Sequence, residues 1–185
     1  MNDSTSLYLS ALRKINWQEP DKFSFLSEYA KGWLLEQGSL SRLLSANCQK
    51  LTVDLLHNRT VKAERLNKAE IALLSEESCL LRKVVLKGDD TPWVLGRTLI
   101  PKSSLSGQSF DLTQQGNIPL GLTVFSTENV ERDALQVGVV ETPDGYLLAR
   151  RSRLWMNNKP MLVAELFLPL RRFIRRSAVR CLWQK

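Results

Sequence analysis

Apolar residues recur three and four apart through the first 36 positions and, from Cys79 onwards, at every second position. The chain therefore changes from a helical to a strand period along its length. In the first part Phe25, Leu26, Tyr29, Trp33 and Leu34 fall at helical spacings, Pro20 and Asp21 precede them as a start signal, and Gly38 stops the run. Ser39 predicts the cap of a second short helix through Leu40, Leu43 and Leu44, giving a helix-turn-helix element able to fold over a site. The spacing predicts a strand over 51–56 and a helix over 67–74 capped by Asn67. It then predicts strands over 79–87 and 93–100 around the turn residues Gly88 to Thr91, and over 135–141 and 146–156 around Thr142 to Gly145. A last strand over 161–168 follows Asn157, Asn158 and Lys159. Residues 102–118, rich in Ser, Gln and Gly, predict a loop, and Pro119 opens a short helical segment. Consecutive hairpins with helices gathered mainly at the N-terminal end predict an α+β fold, a single antiparallel β-sheet with helices on one face.

Three charged residues interrupt the apolar parity. Arg82 shares its strand face with Leu80, Val84 and Leu86, Glu165 shares its face with Val163 and Phe167, and Arg97 lies between Leu95 and Leu99. A buried unpaired charge costs several kcal/mol, so such residues need one another or a ligand that supplies the missing charge. Two arginines against one glutamate leave room for an anion.

Composition narrows the class. With 185 residues, 43% of them apolar, the chain is the size of one domain and can bury a full core. Cys48, Cys79 and Cys181 are too few and too far apart for a disulfide framework, contain no Cys-x-x-Cys pair, and are expected as small buried hydrophobes. The first residues lack a signal-peptide pattern, and no apolar run approaches the roughly 18 residues of a membrane span, so the expected compartment is the reducing cytoplasm. The net charge of +7 points towards nucleic acid until it is located. Six of those charges sit on Arg171, Arg172, Arg175, Arg176, Arg180 and Lys185 with no acid among them, which leaves the body of the protein nearly neutral. That tail has an imperfect apolar side, and it is open to two readings, a surface helix on anionic membrane or a solvated basic tail. No DNA-reading helix pair accompanies it.

Several chemistries are not indicated. His57 is the only histidine, so a histidine-based zinc site lacks its companions and a Ser/His/Asp triad would rest on this one residue; it is expected as an exposed strand-end or turn residue. The nine glycines are scattered and form no phosphate loop or dinucleotide fingerprint. The basic cluster Arg150, Arg151 and Arg153 on a predicted strand is expected to be solvated or paired across strands.

A set of motifs nevertheless carries a specific resemblance. Leu81-Arg82-Lys83, Pro92-Trp93, Gly96-Arg97-Thr98, Pro101, Leu105-Ser106-Gly107, Ile118-Pro119-Leu120-Gly121 with Phe125, Arg151-Ser152-Arg153 and Glu165-Leu166-Phe167-Leu168-Pro169 occur in the order seen in chorismate pyruvate-lyases. Upstream, Trp33-Leu34-Leu35 and Ser39-Leu40-Ser41 resemble that family's first flap, so the resemblance spans roughly residues 30–169.

The resemblance implies an antiparallel sheet with an internal ligand cavity shut beneath two helical flaps. It implies a reaction without metal or organic cofactor, in which chorismate loses its enolpyruvyl side chain as pyruvate and leaves 4-hydroxybenzoate for ubiquinone synthesis. By position, Arg82 is expected to hold the ring carboxylate, Glu165 to meet the ring hydroxyl as proton acceptor or polarising group, and the backbone around Leu120 to help bind the carboxylate. Leu40 stands where the family often has methionine, a change close in volume. Arg97 is expected either to bind the enolpyruvyl carboxylate or to balance Glu165. The expected organisation is one lyase-like domain over 1–169, a monomer, followed by a basic tail over 170–185 beyond the family pattern. Two other readings remain open at this point: a non-catalytic effector-sensing domain of the same fold, and a plain buried ion pair between Arg82 and Glu165.

Overall fold

In the computed structural model, which describes residues 3–169, tight turns build the sheet. Strands β2 (Cys79–Gly88) and β3 (Thr91–Pro101) are joined by Asp89 and Asp90, both at positive φ, 49° and 60°. Strands β5 (Gly145–Met156) and β6 (Lys159–Phe167) are joined by Asn157 and Asn158, at 53° and 59°. Two left-handed central residues match the right-handed twist of the flanking strands, and Asp and Asn tolerate that conformation. The Asp89 carboxylate also accepts from the backbone N–H groups of Gln49 and Lys50, each at 2.9 Å, which ties the turn to the start of β1 (Leu51–Val61). With β4 (Val130–Thr142), the order is β1-β2-β3-β6-β5-β4, every pair antiparallel. Two three-stranded meanders thus meet along β3 and β6, the two strands buried deepest in the sheet.

Helices cover both faces rather than one. On the front face α2 (Glu28–Leu34), α3 (Leu40–Ser45) and α6 (Leu120–Val124) pack over the sheet; Trp33, Leu34, Leu40 and Leu44 meet Val94, Leu148 and Phe167. On the back, α1 (Asp3–Leu12) sets Leu9 and Leu12 against Leu95, Ala149, Ala164 and Leu166. Beside it α4 (Lys68–Leu73) brings Ile71 to Leu99 and Leu162. The central strands therefore bury both parities, as their nearly continuous apolar runs require. α4 begins with the Asn67 cap, which forms a reciprocal capping box with Glu70.

Several boundaries differ from the sequence expectation, among them the end of β1, which runs on to Val61 instead of stopping at Leu56. The run through 1–36 is not one helical stretch: Pro20–Lys22 forms only a 3-10 turn and α2 starts at its Ser27 cap. The intervening chain is extended because Gln18 exchanges two backbone hydrogen bonds of 2.9 Å with Val137 on the edge strand β4, covering otherwise unpaired groups. The segment 102–118 contains a short helix, α5 (Lys102–Leu105), and a 3-10 turn. Strand β4 starts at Val130 and passes an irregularity between Asp133 and Gln136, with Ala134 at φ 46°. Among the described residues no helix is long and apolar enough to cross a membrane. The basic tail lies outside the described residues.

Candidate active site

Register sets the site. Across the front face one row reads Asn58, Arg82, Thr98, Val163 and Ser152, and the next reads Val84, Gly96, Glu165 and Arg150. Arg82 and Glu165 therefore lie on one face in adjacent rows, with only Thr98, Gly96 and Val163 between them. α3 and α6 roof this patch through Leu40, Ser41, Leu120 and Gly121, enclosing a narrow cavity of about 50 Å³ whose walls include Thr98, Val163, Arg132 and Glu165. The helices approach closely because Gly121 has no side chain: a Cβ there would stand 2.9 Å from Ser41 Oγ and 3.0 Å from Ser39 Oγ.

Arg82 is 2% exposed. Its Nη2 donates to the carbonyl of Ile118 at 3.0 Å, two residues before Leu120. Nε and Nη1 are buried without a partner, and desolvation lowers the pKa of the group. A guanidinium in this state lacks a counter-charge.

Glu165 does not supply it. Its carboxylate accepts from Nε of Arg150, which is fully buried, and Arg150 Nη1 donates in turn to the carbonyls of Glu36 at 2.8 Å and Trp33 at 3.3 Å. Those carbonyls lie at the C-terminal end of α2, where unsatisfied acceptors and the helix dipole favour a cation. Glu165 is thus tied to the first flap. The simple Arg82–Glu165 ion pair is absent; Arg150 instead makes the cross-strand pair, one of the two arrangements expected of it, but entirely buried rather than solvated. Its parity with Leu148 and Leu154 carried that signal.

Arg97 is on the other side of the sheet. It pairs in register with Lys83 and Ala164, and its Nη1 meets Glu70 Oε1 at 2.6 Å, the two side chains only 12% and 8% exposed. It therefore balances Glu70 rather than Glu165 and does not face the cavity. Alternation alone could not reveal this, because both sheet faces are apolar. His57 also departs from expectation: it sits within β1 beside a register shift, half-buried, with Nε2 unpartnered. Burial, Lys83 and Arg59 lower its pKa.

Arg132 is a cavity residue that sequence reasoning missed, since the predicted strand began beyond it. Its Nε and Nη2 donate to the carbonyls of Gln37 and Gly38, each at 3.0 Å, and Nη1 donates to Ser152 Oγ. The guanidinium lies 5.7 Å from the Phe125 ring centre. Among the described residues no His, Cys, Asp and Glu side chains gather as a metal site.

The pattern of the family described as chorismate lyase matches residues 11–178, which extends past Pro169 into the basic tail and corrects the expectation that the family pattern closes there. A protein of Vibrio parahaemolyticus named probable chorismate pyruvate-lyase is 64% identical over 168 residues, 91% of this chain and 94% of that one. The chorismate pyruvate-lyase of Pectobacterium atrosepticum is 39% identical over 170 residues, 91% of both chains. The effector domain of PhnF from Mycobacterium smegmatis shares the fold, with a TM-score of 0.52 at 13% identity over 72% of this chain and 90% of that one. Identity sustained over nearly the whole length, in a sheet of this topology, establishes that the chain belongs to the chorismate lyase family.

Proposed function

We propose that this protein is a chorismate pyruvate-lyase, converting chorismate to 4-hydroxybenzoate and pyruvate, with Arg82 as the seat of the ring carboxylate and Glu165 at the hydroxyl end. The observation that carries this reading is the buried guanidinium of Arg82, with Nε and Nη1 unmatched, one row from Glu165 on the same sheet face; Thr98, its register partner, and Glu165 line the cavity, whereas Arg82 itself does not. A planar fork of donors fits a carboxylate in bidentate geometry and fixes the ring's direction. The backbone around Leu120, next to the Ile118 carbonyl that Arg82 holds, completes that end of the site.

The chemistry asked of the protein is modest. The ether bond at C3 breaks with its electron pair going to the enolpyruvyl oxygen. The hydrogen on C4 leaves as a proton, and the pair from that C–H bond closes the aromatic ring. The released enolate takes up a proton and becomes pyruvate. Aromatisation drives the elimination, so orientation, charge complementarity and a proton acceptor suffice. Glu165 is that acceptor, and Arg150 holds it in place. A non-catalytic sensor domain has only the likeness of fold in its favour.

Incubating the protein with chorismate, without added metal or cofactor, and following 4-hydroxybenzoate by absorbance and chromatography tests this. Glu165→Ala should lower turnover by roughly 100-fold or more, the scale of a lost proton-transfer group. Arg82→Ala should raise KM and lower the rate, and Leu40→Met should cost far less than either. Equal, modest losses in all three would count against the assigned roles, and saturable binding of 4-hydroxybenzoate without turnover would favour the sensor.

A further inference from the structure

The charges on the front face do not sum to zero, and the excess is divided between two places. Arg150 is neutralised by Glu165. Arg82 has no ionic partner among the described residues, only the Ile118 carbonyl. Arg132 meets two carbonyls and a hydroxyl, all neutral. Burial and the like charge of Arg150 pull the Arg132 pKa down to about 10 against the opposing effect of Glu165 and Glu36, the mark of a cation short of negative charge. A guanidinium has five N–H bonds. Three are used in Arg132, leaving one on each terminal nitrogen, and the residue lines the same cavity as Glu165.

Chorismate carries two carboxylates, one on the ring and one on the enolpyruvyl group at C3. 4-Hydroxybenzoate keeps only the first. C3 adjoins C4, so a substrate oriented with its ring carboxylate at Arg82 and its hydroxyl at Glu165 places the side chain at the Glu165 end. We propose that Arg132 binds the enolpyruvyl carboxylate, forming a second anion subsite that separates the dianionic substrate from the monoanionic product. The role first considered for Arg97 thus passes to Arg132, because Arg97 faces the opposite side of the sheet. Once pyruvate forms, the subsite loses its covalent tie to the ring and the product is held at one end only. This inference rests on the lyase reading above.

The test compares the two ligands in wild type, Arg132→Gln and Arg82→Gln, using KM for chorismate and the inhibition constant for 4-hydroxybenzoate. Loss of a charge-assisted contact should raise KM roughly 10- to 100-fold in Arg132→Gln, while the constant for 4-hydroxybenzoate moves less than about threefold. Arg82→Gln should weaken both. If Arg132→Gln weakens both ligands alike, Arg132 only latches the first flap through Gln37 and Gly38, and the proposal fails; it fails equally if neither ligand is affected. Should Arg132→Gln not fold, Arg132→Lys keeps the charge without the fork and should show the same selective rise in a milder form. Wild type that converts no chorismate would refute the lyase reading separately. Tryptophan-fluorescence titration with each ligand would then still decide whether Arg132 responds to the second carboxylate.

Discussion

Four arginines of the sheet are told apart by the face each occupies and by what lies opposite it. Arg82 meets only the Ile118 carbonyl, Arg150 pairs with Glu165, Arg132 donates to neutral oxygens and Arg97 pairs with Glu70. The last pair lies behind the sheet, so Arg97→Met should leave KM for chorismate unchanged. It should nevertheless destabilise the fold by about 3 kcal/mol, because a nearly buried carboxylate is stranded. Urea unfolding with initial rates taken well below the melt separates the two effects, and a KM raised as in Arg82→Gln would return Arg97 to the site. Parity identified Arg82, Arg97 and Glu165 as charges in apolar settings. It could not sort them, because a sheet covered on both faces makes either parity look internal.

The elements that form the site are short, and their contacts rather than their propensities hold them. α3 has six residues and α6 five, too few to persist alone, and they touch at Gly121 against Ser39 and Ser41. Gly121→Ala should push the two flaps apart, weakening 4-hydroxybenzoate binding by about fivefold or more and speeding amide exchange over 40–45 while the central strands stay protected. Unchanged exchange over α3 would show that the close approach is dispensable. Turn chemistry at Asp89-Asp90 and Asn157-Asn158 makes the hairpins legible, and Ser39 and Asn67 cap α3 and α4 as their residue types and spacing predict. The early part of β4 escaped because the irregularity at Ala134 interrupts the period-2 pattern, and with it went Arg132. The start of α2 was misplaced because the edge of β4 draws the chain around Gln18 into an extended path.

At the scale of the molecule, the only histidine gives stability a pH dependence of known sign. His57 has its pKa lowered in the folded protein, so below about pH 6.5 the unfolded chain binds more protons than the native one. Stability should therefore fall as the pH drops through that window, and His57→Gln should flatten the slope. Urea titrations of both proteins at about pH 7.5 and pH 5.5 check this, and parallel losses in the two would rule it out. By itself the sequence determined the α+β class, the hairpin order, the resemblance to chorismate lyases and the chemical anomaly of Arg82 and Glu165, since these depend on local period, turn residues and motif order. Only the tertiary structure decided that Glu165 belongs to Arg150, that Arg97 lies behind the sheet and that Arg132 enters the cavity. Which charge meets which depends on strand register and on what covers each face, and neither is written in the spacing along one strand.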